Sequence, residues 1–234
     1  MMKIKIAHLY YDLMNLYGEN GNVRALDASI RKQGIDVKID YLTIDDKIDF
    51  KKYDIFYIGS GSERNQLIVL EDILKYKSDI DKAIKSGKIF IATGNSYELF
   101  GKYIMDVDNK KYNCLSIFNY TAKRINFRIS EEEIYKTDLI NEKIIGFENR
   151  SCIIKNIDNY LFEVIKGTGY EPNVNIEGFH KYNFYGTYLV GPLLIRNPYL
   201  TDYILKTLIN NYKVNEDNIE YKAYHEYLKN FHVE

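Results

Sequence analysis

The chemistry open to this sequence turns on one short segment. Lys88 to Thr93 is an apolar run rich in β-branched residues, Gly94 follows it, and the chain continues through Asn95, Ser96 and Tyr97 to Gly101. A buried strand, a sharp turn and a helix start, in that order, form the elbow that lifts a nucleophilic side chain off the edge of a sheet. The tip of this elbow is Gly94, which has no side chain to attack with. Read alone, Gly94 is equally an ordinary turn glycine between a strand and a helix. Ser96 lies further into the turn, Thr93 ends the strand, and Cys114 and Cys152 are the only thiols. Buried thiols are usually inert packing, but Arg150 and Lys155 beside Cys152 would lower its pKa. The histidines are His8 at the end of the first strand, His180, and His225 and His232 on the C-terminal tail. Gly59, Ser60, Gly61 and Ser62 follow a strand and precede a helix, so their amides are candidates for holding an anion or carboxylate. A plain strand-to-helix turn is the alternative.

These residues are carried by an alternation of strands and helices. Lys3 to Leu9 reads as a strand, and Gly21 to Gly34 as a helix with Val23, Leu26 and Ile30 on one stripe. Asp36 to Thr43 alternates like a half-buried strand, Tyr53 to Ile58 is another, and one long helical stretch runs from about Asn65 to Ser86. Such alternation argues a parallel, doubly wound sheet. From Asp106 to Lys166 the texture changes to short β-rich runs (Cys114–Phe118, Arg124–Ile129, Lys143–Phe147, Tyr160–Ile165), which read as an antiparallel elaboration. Asn183 to Leu189 returns to strand, and Asn197-Pro198 is an N-cap with proline at the first helical position, opening a helix to about Tyr212. Ile219, Ala223, Tyr227 and Phe231, four apart, predict a final amphipathic helix. The expected organisation is one domain over residues 1–212 with that helix, within 213–234, packed on it.

At 234 residues with a net charge of −1, 28% charged and 46% apolar residues, the composition is that of a globular domain. A nucleic-acid footprint would need a clustered basic excess, which is absent. No apolar run approaches membrane-spanning length, and the N-terminus is too short and charged for a signal peptide, so a cytoplasmic protein is expected. The two cysteines lack CxxC spacing, so neither a zinc site nor a disulfide is expected.

Three stretches in order, His8 to Gly18 with Gly21-Asn22, Tyr97 to Tyr103, and Gly186 to Leu194 with Asn197-Pro198, resemble class I glutamine amidotransferases of the cobyric-acid-synthase type. More closely they are similar to the GatD-like branch, the glutaminase subunits that partner the MurT ligase in lipid II isoglutaminyl synthase. Weaker support comes from Gly146 to Asn149 and from Glu177-Gly178. The resemblance implies a flavodoxin-like doubly wound, mainly parallel sheet with helices on both faces and an antiparallel β elaboration. It implies glutamine hydrolysis by a Cys nucleophile and a His base, with oxyanion donors from a glycine-rich loop, and neither cofactor nor metal. The family's elbow has the form Cys-Gly-Gly-Tyr-Gln-Leu-Leu-Gly. Aligned on Tyr97 and Gly101, its nucleophile falls on Gly94, and the His of Tyr-Leu-His-Gly-Pro falls on Val190. Ser60 and Ser62 replace part of the family's Gly-Gly-Gly loop. Arg124, or Lys123 by one register slip, matches the Arg that grips the glutamine carboxylate, with a surface ion pair as the alternative. Glu148-Asn149 resembles Glu-Asn-His, with Arg150 in place of the His. The implied ligand-binding set is Ser60, Gly61, Asn95, Tyr97, Arg124 and Asn149.

Amide hydrolysis by covalent catalysis needs nucleophile and base together. Glycine and valine supply neither, although an oxyanion nest alone retains roughly 10³-fold over water in a related hydrolase. Glycine also accepts the positive φ that strains a side-chain-bearing residue at an elbow. The expectation is a degenerate GatD-like protein, a non-catalytic binding or scaffolding subunit. Its partner is expected to be a MurT-like Mur-ligase-fold protein in peptidoglycan amidation, or a second copy in a homodimer, with a glutamine-like small molecule as candidate ligand. The alternatives are an active amidotransferase or hydrolase with a non-standard nucleophile, for which Ser96 is one candidate, and a stand-alone glutamine or amino-acid sensor.

Overall fold

The computed structural model describes residues 3–171 and 174–231; His232, expected on the tail, lies outside them. In chain order the first half runs β1 (Lys3–Leu9), α1 (Asn20–Lys32), β2 (Asp36–Leu42), β3 (Ile55–Ile58), α2 (Glu63–Ile73), α3 (Lys77–Lys85) and β4 (Ile89–Thr93). The second half runs β5 (Tyr103–Met105), β6 (Lys111–Asn113), β7 (Thr121–Thr137), β8 (Ile140–Lys155), β9 (Phe162–Lys166), β10 (Ile176–Glu177), β11 (Phe179–Lys181) and β12 (Phe184–Thr187). Three helices close the chain: α4 (Leu193–Arg196), α5 (Pro198–Lys206) and α6 (Ile219–Lys229).

Among the described residues the first sheet has the order β11-β12-β4-β3-β1-β2, parallel throughout except for β11 at the edge. Successive strand residues point to opposite faces, and the two cores follow that rule. Ile55, Tyr57, Ile89 and Ile91 pack with Val23, Leu26 and Ile30 of α1 and Leu200 and Ile204 of α5. Phe56, Ile58, Phe90 and Ala92 pack on the other face with Val69 and Ile73 of α2 and Ile80 and Ile84 of α3. This is the flavodoxin-like doubly wound arrangement, and its carboxyl edge lies where the strand order reverses around β1 and β3.

The predicted antiparallel elaboration is a second six-stranded sheet, β10-β9-β7-β5-β6 with β8 on β7, in which only β5 and β7 run parallel. Its centre is one long β7–β8 hairpin, where the sequence reading expected separate short runs. Residues Cys114–Phe118 are not strand. The hairpin ladder slips between Arg124 and Ile129, and that irregularity brings Arg128 to the rim of the cleft described below.

Three helical expectations need correction. The stretch from Asn65 to Ser86 is two helices separated by a 3₁₀ turn over Leu74–Tyr76, where the Tyr76 hydroxyl donates to the Asp46 carbonyl at 2.7 Å. Neither Gly nor Pro marks the break. The helix after Pro198 ends at Lys206, not near Tyr212, and Asn197 does not cap it with its side chain. Instead the Asn197 amide accepts from Ile145 N at 2.7 Å and donates to the carbonyls of Ile145 and Leu193 at 2.8 and 2.9 Å, fastening the helix start to β8. In α6 the buried face is Tyr221 and Tyr224, whose hydroxyls reach Asp202 and the Lys143 carbonyl. Ile219 is 76% exposed, and of the predicted stripe only Tyr227 and Phe231 pack inward.

Removing the Asn197 amide strands a buried backbone donor and acceptor on Ile145. An Asn197→Ala variant is expected to unfold roughly 4–10 °C lower than the parent, measured by calorimetry. An unchanged midpoint would refute this role.

Candidate functional site

The predicted elbow sits at the carboxyl end of β4. Gly94 has φ +62° and begins a 3₁₀ turn running to Phe100. Val190 reaches the same place from after β12, because Glu148 and Leu189 form a bridge and Val190 N donates to the Phe147 carbonyl at 2.9 Å. An ideal Cβ built on Gly94 would lie 3.0 Å from Val190 Cγ1, so the two positions expected to form a nucleophile–base pair are neighbours. Neither carries a group able to attack or to take a proton. The same Cβ would fall well under 3.0 Å from both Oγ and Cβ of Ser60.

A cleft of about 110 Å³ opens beside Gly94. Of the residues named as ligand-binding candidates, Ser60, Gly61, Asn95, Arg124 and Asn149 line it. Tyr97 does not. It is fully buried, its ring packs against Tyr120 and Tyr188, and its hydroxyl bonds to that of Tyr170 at 2.9 Å, so it is a core residue. Arg124 is already engaged, with Asp106 at 2.8 Å and Gln66 Oε1 at 3.1 Å. The more open cation is Arg128, about half exposed, which donates to Asn149 Oδ1 at 2.8 Å and faces Glu63 at 3.8 Å.

Asn95 holds the loop after β3 rather than pointing free into the cleft. Its Oδ1 accepts from Gly61 N at 2.9 Å and its Nδ2 donates to Gly61 O at 2.8 Å. The Gly61 amide, expected to be available to an anion, is therefore spent. Ser62 caps α2, its Oγ accepting from Asn65 N at 3.1 Å.

The floor of the cleft is a buried carboxyl. Glu98 accepts from Gln66 Nε2 at 2.8 Å and Tyr188 OH at 3.0 Å, and burial raises its pKa. Cys152 lines the cleft beside it. Here the expected thiolate-promoting environment is reversed: burial and then the Glu98 charge push the thiol up, and these outweigh Arg150. The reason is that Arg150 is paired with Glu148 at 2.6 Å, while Lys155 turns outward to Glu171. Ser96 is engaged as well; its Oγ donates within a buried pocket to the carbonyls of Ile58 and Thr93. Cys114 is buried outside the cleft lining, with its thiol pushed up to about 12 by burial. None of His8, His180 and His225 lines the cleft. His180 Nδ1 contacts the Phe184 carbonyl, and His225 Nε2 contacts Tyr199 OH, each at 3.0 Å. Among the described residues no group of three or more His, Cys, Asp or Glu is placed to hold a metal ion.

Two buried clusters lie beneath the cleft, and of their acids motif reading named Glu148 and Glu177 but neither Glu19 nor Glu133. Glu19, within the Gly18–Asn22 stretch, is fully buried and accepts from Tyr57 OH at 2.7 Å, from Thr93 Oγ1, and from Gly191 N at 3.2 Å; burial raises its pKa. Deeper under β7 and β8, Glu148 pairs with the guanidinium of Arg150, which also donates to the carbonyls of Cys152, Gly169 and Tyr170, and the buried Glu133 and Glu177 lie close enough to feel the Glu148 charge. The only sequence hint of Glu19 is its position between two motif glycines. Glu98 falls within the Tyr97–Tyr103 stretch, and nothing local marks Arg128.

A parallel sheet in 2-1-3-4 order with an elbow at its carboxyl edge and a polar cleft beside it defines a class I glutamine amidotransferase fold. The CobB/CobQ-like glutamine amidotransferase domain matches residues 5–198, and the chain belongs to that family. Within it the chain is similar to subunit GatD of lipid II isoglutaminyl synthase (glutamine-hydrolyzing) from Streptococcus pneumoniae, at 33% identity over 97% of this chain and 87% of that one. The Staphylococcus aureus GatD subunit is 31% identical over 88% of this chain and 84% of its own length. Among solved structures, Thermotoga maritima PurLQS superposes with a TM-score of 0.58 at 15% identity, covering 97% of this chain and 100% of that one. A glutamine amidotransferase superposes with a TM-score of 0.56 at 15% identity, over 86% and 97%. Among the described residues no helix is long and apolar enough to cross a membrane.

The carboxyl cluster sets a pH dependence. Burial, reinforced by the charge of Glu148, raises Glu133 from the ordinary 4.5 to about 9, and burial likewise raises Glu177 to about 8. Folded-state pKa values above the unfolded ones mean the folded protein holds more protons, so stability falls as pH climbs from about 4.5 toward 9. The unfolding midpoint is expected to be lower at pH 9 than at pH 6, and Glu133→Gln should narrow that gap. A midpoint that rises with pH over this range contradicts the assignment.

Proposed function

We propose that this protein is a GatD-like subunit without glutaminase chemistry, serving as a binding or scaffolding component of a MurT-like Mur-ligase-fold partner in peptidoglycan amidation, in the cytoplasm. The observation that carries this reading is the juxtaposition of Gly94 and Val190 at the elbow. Covalent amide hydrolysis needs a nucleophile and a base in hydrogen-bond reach, and this pair offers a hydrogen atom and an isopropyl group. The other candidates give no support to a substitute pair: Cys152 is held as a thiol, Ser96 is bonded to backbone, and no imidazole of the described residues lines the cleft.

The cleft itself keeps the means to hold a small polar ligand. Arg128 and Asn149 form one wall, and the buried carboxyl of Glu98 with Gln66 forms the floor. These features suit a glutamine-like amino acid bound without turnover, and they are compatible with a role as sensor as well as scaffold.

The decisive measurement is ammonia release from glutamine by the purified protein, alone and with the candidate ligase. Release is expected to match that of a Gly94→Asp control, while the two proteins co-elute as a complex. Turnover clearly above the control overturns the non-catalytic reading, and failure to co-elute removes the partner.

A further inference from the structure

The absence of a side chain at position 94 is not independent of what surrounds it. Ser60 is 5% exposed, immediately after β3, and both its Oγ and its Cβ fall well under 3.0 Å from an ideal Cβ on Gly94. Rotation about χ1 moves Oγ but leaves Cβ where the backbone puts it. Relief would need the loop to retreat, and the loop is held on every side. Ser60 O accepts from Leu16 N at 2.9 Å. Gly61 is clamped at both N and O by Asn95. Behind it, a Cβ on Gly59 would meet Met14 O and the Glu19 side chain, and one on Gly61 would meet Met14 Sδ and Leu13 O. A side chain at 60 and a side chain at 94 therefore compete for one volume. Asn95 adds a second obstacle, because an oxyanion is stabilised by preorganised N–H donors, and here its own amide oxygen takes the Gly61 N–H.

We propose that Ser60 and Asn95 are specificity-determining residues that close the reactive end of this cleft: Ser60 fills the space of a nucleophile's Cβ, and Asn95 occupies the loop amide that would receive an oxyanion. Position 94 is glycine because Ser60 admits nothing else, so installing a thiol at 94 and an imidazole at 190 restores nothing while these two side chains remain. The inference rests on the reading of position 94 given under the proposed function, and its test separates the two.

The steric part is read by a thermal double-mutant cycle on the full chain. Gly94→Ala is expected to lower the unfolding midpoint by roughly 5 °C or more. In a Ser60→Gly background the same change should cost less than half as much, the residue being strain from the positive φ. Ser60→Ala keeps Cβ and should give no comparable relief. Additive losses in the Ser60→Gly background, or equal relief from Ser60→Ala, overturn the proposal.

The chemical part is read by mass spectrometry with a diazoketone analogue of glutamine. Gly94→Cys/Val190→His is expected to be alkylated at least ten times more slowly than the same pair carrying Ser60→Gly and Asn95→Gly. Measurable alkylation at equal rates with and without the two extra changes also overturns the proposal. Thermal coupling with no alkylation in either protein leaves the mutual exclusion standing, and it is then the descent of the cleft from a glutamine site that fails.

Discussion

A carboxylate removed from water has to be answered by donors or a proton, and the arrangement around Glu19 is organised by that requirement. Its two oxygens collect the hydroxyls of Tyr57 on β3 and Thr93 on β4 and the amide of Gly191 in the loop carrying Val190. Asn22 of α1 joins through the Tyr57 hydroxyl at 2.8 Å and also receives Leu194 N at 2.8 Å. Four segments far apart in the chain are thereby held to one point beneath the elbow. Unpaired, that buried acid would cost several kcal/mol, so the loops bordering position 94 are fixed with respect to one another whether or not any chemistry takes place there.

The shape of the elbow therefore does not depend on the side chains at 94 and 190. The Gly18–Asn22 stretch, the end of β4 and the Gly191 turn depend on mutual hydrogen bonds rather than on a side chain at 94 or 190. The outer cleft is likewise held by hydrogen bonds among Gln66, Glu98, Arg124, Arg128 and Asn149. The elbow and the outer cleft are thus held together by separate sets of hydrogen bonds.

The parallel half of the fold was legible because its strands are bounded by turns and its helices show a clean 3.6-residue stripe, as Val23, Leu26 and Ile30 do. The long hairpin was not, because Ser130, Glu131, Glu132 and Glu133 have the composition of a loop although they are strand, and Glu133 is buried by contacts far along the chain. In α6 the anchors are Tyr221 and Tyr224, whose hydroxyls find acceptors, so a stripe read at four-residue spacing found Tyr227 and Phe231 and missed the start of the buried face. At the site, motif order brought Gly94 and Val190 together correctly as neighbours. The Ser60 contact could not be foreseen, because it depends on how closely two loops approach, and spacing along a chain carries no such distance. Tyr97 was misplaced for the opposite reason: a motif residue can be needed for packing alone.

The two native thiols have a practical corollary. Cys114 and Cys152 are both enclosed, and both hold their protons far more firmly than a free cysteine. Electrophiles react with the ionised form, so the folded molecule offers maleimides and disulfide reagents almost no target. A fluorophore or spin label introduced through one engineered cysteine on the rim would report on its own surroundings without background from the parent chain.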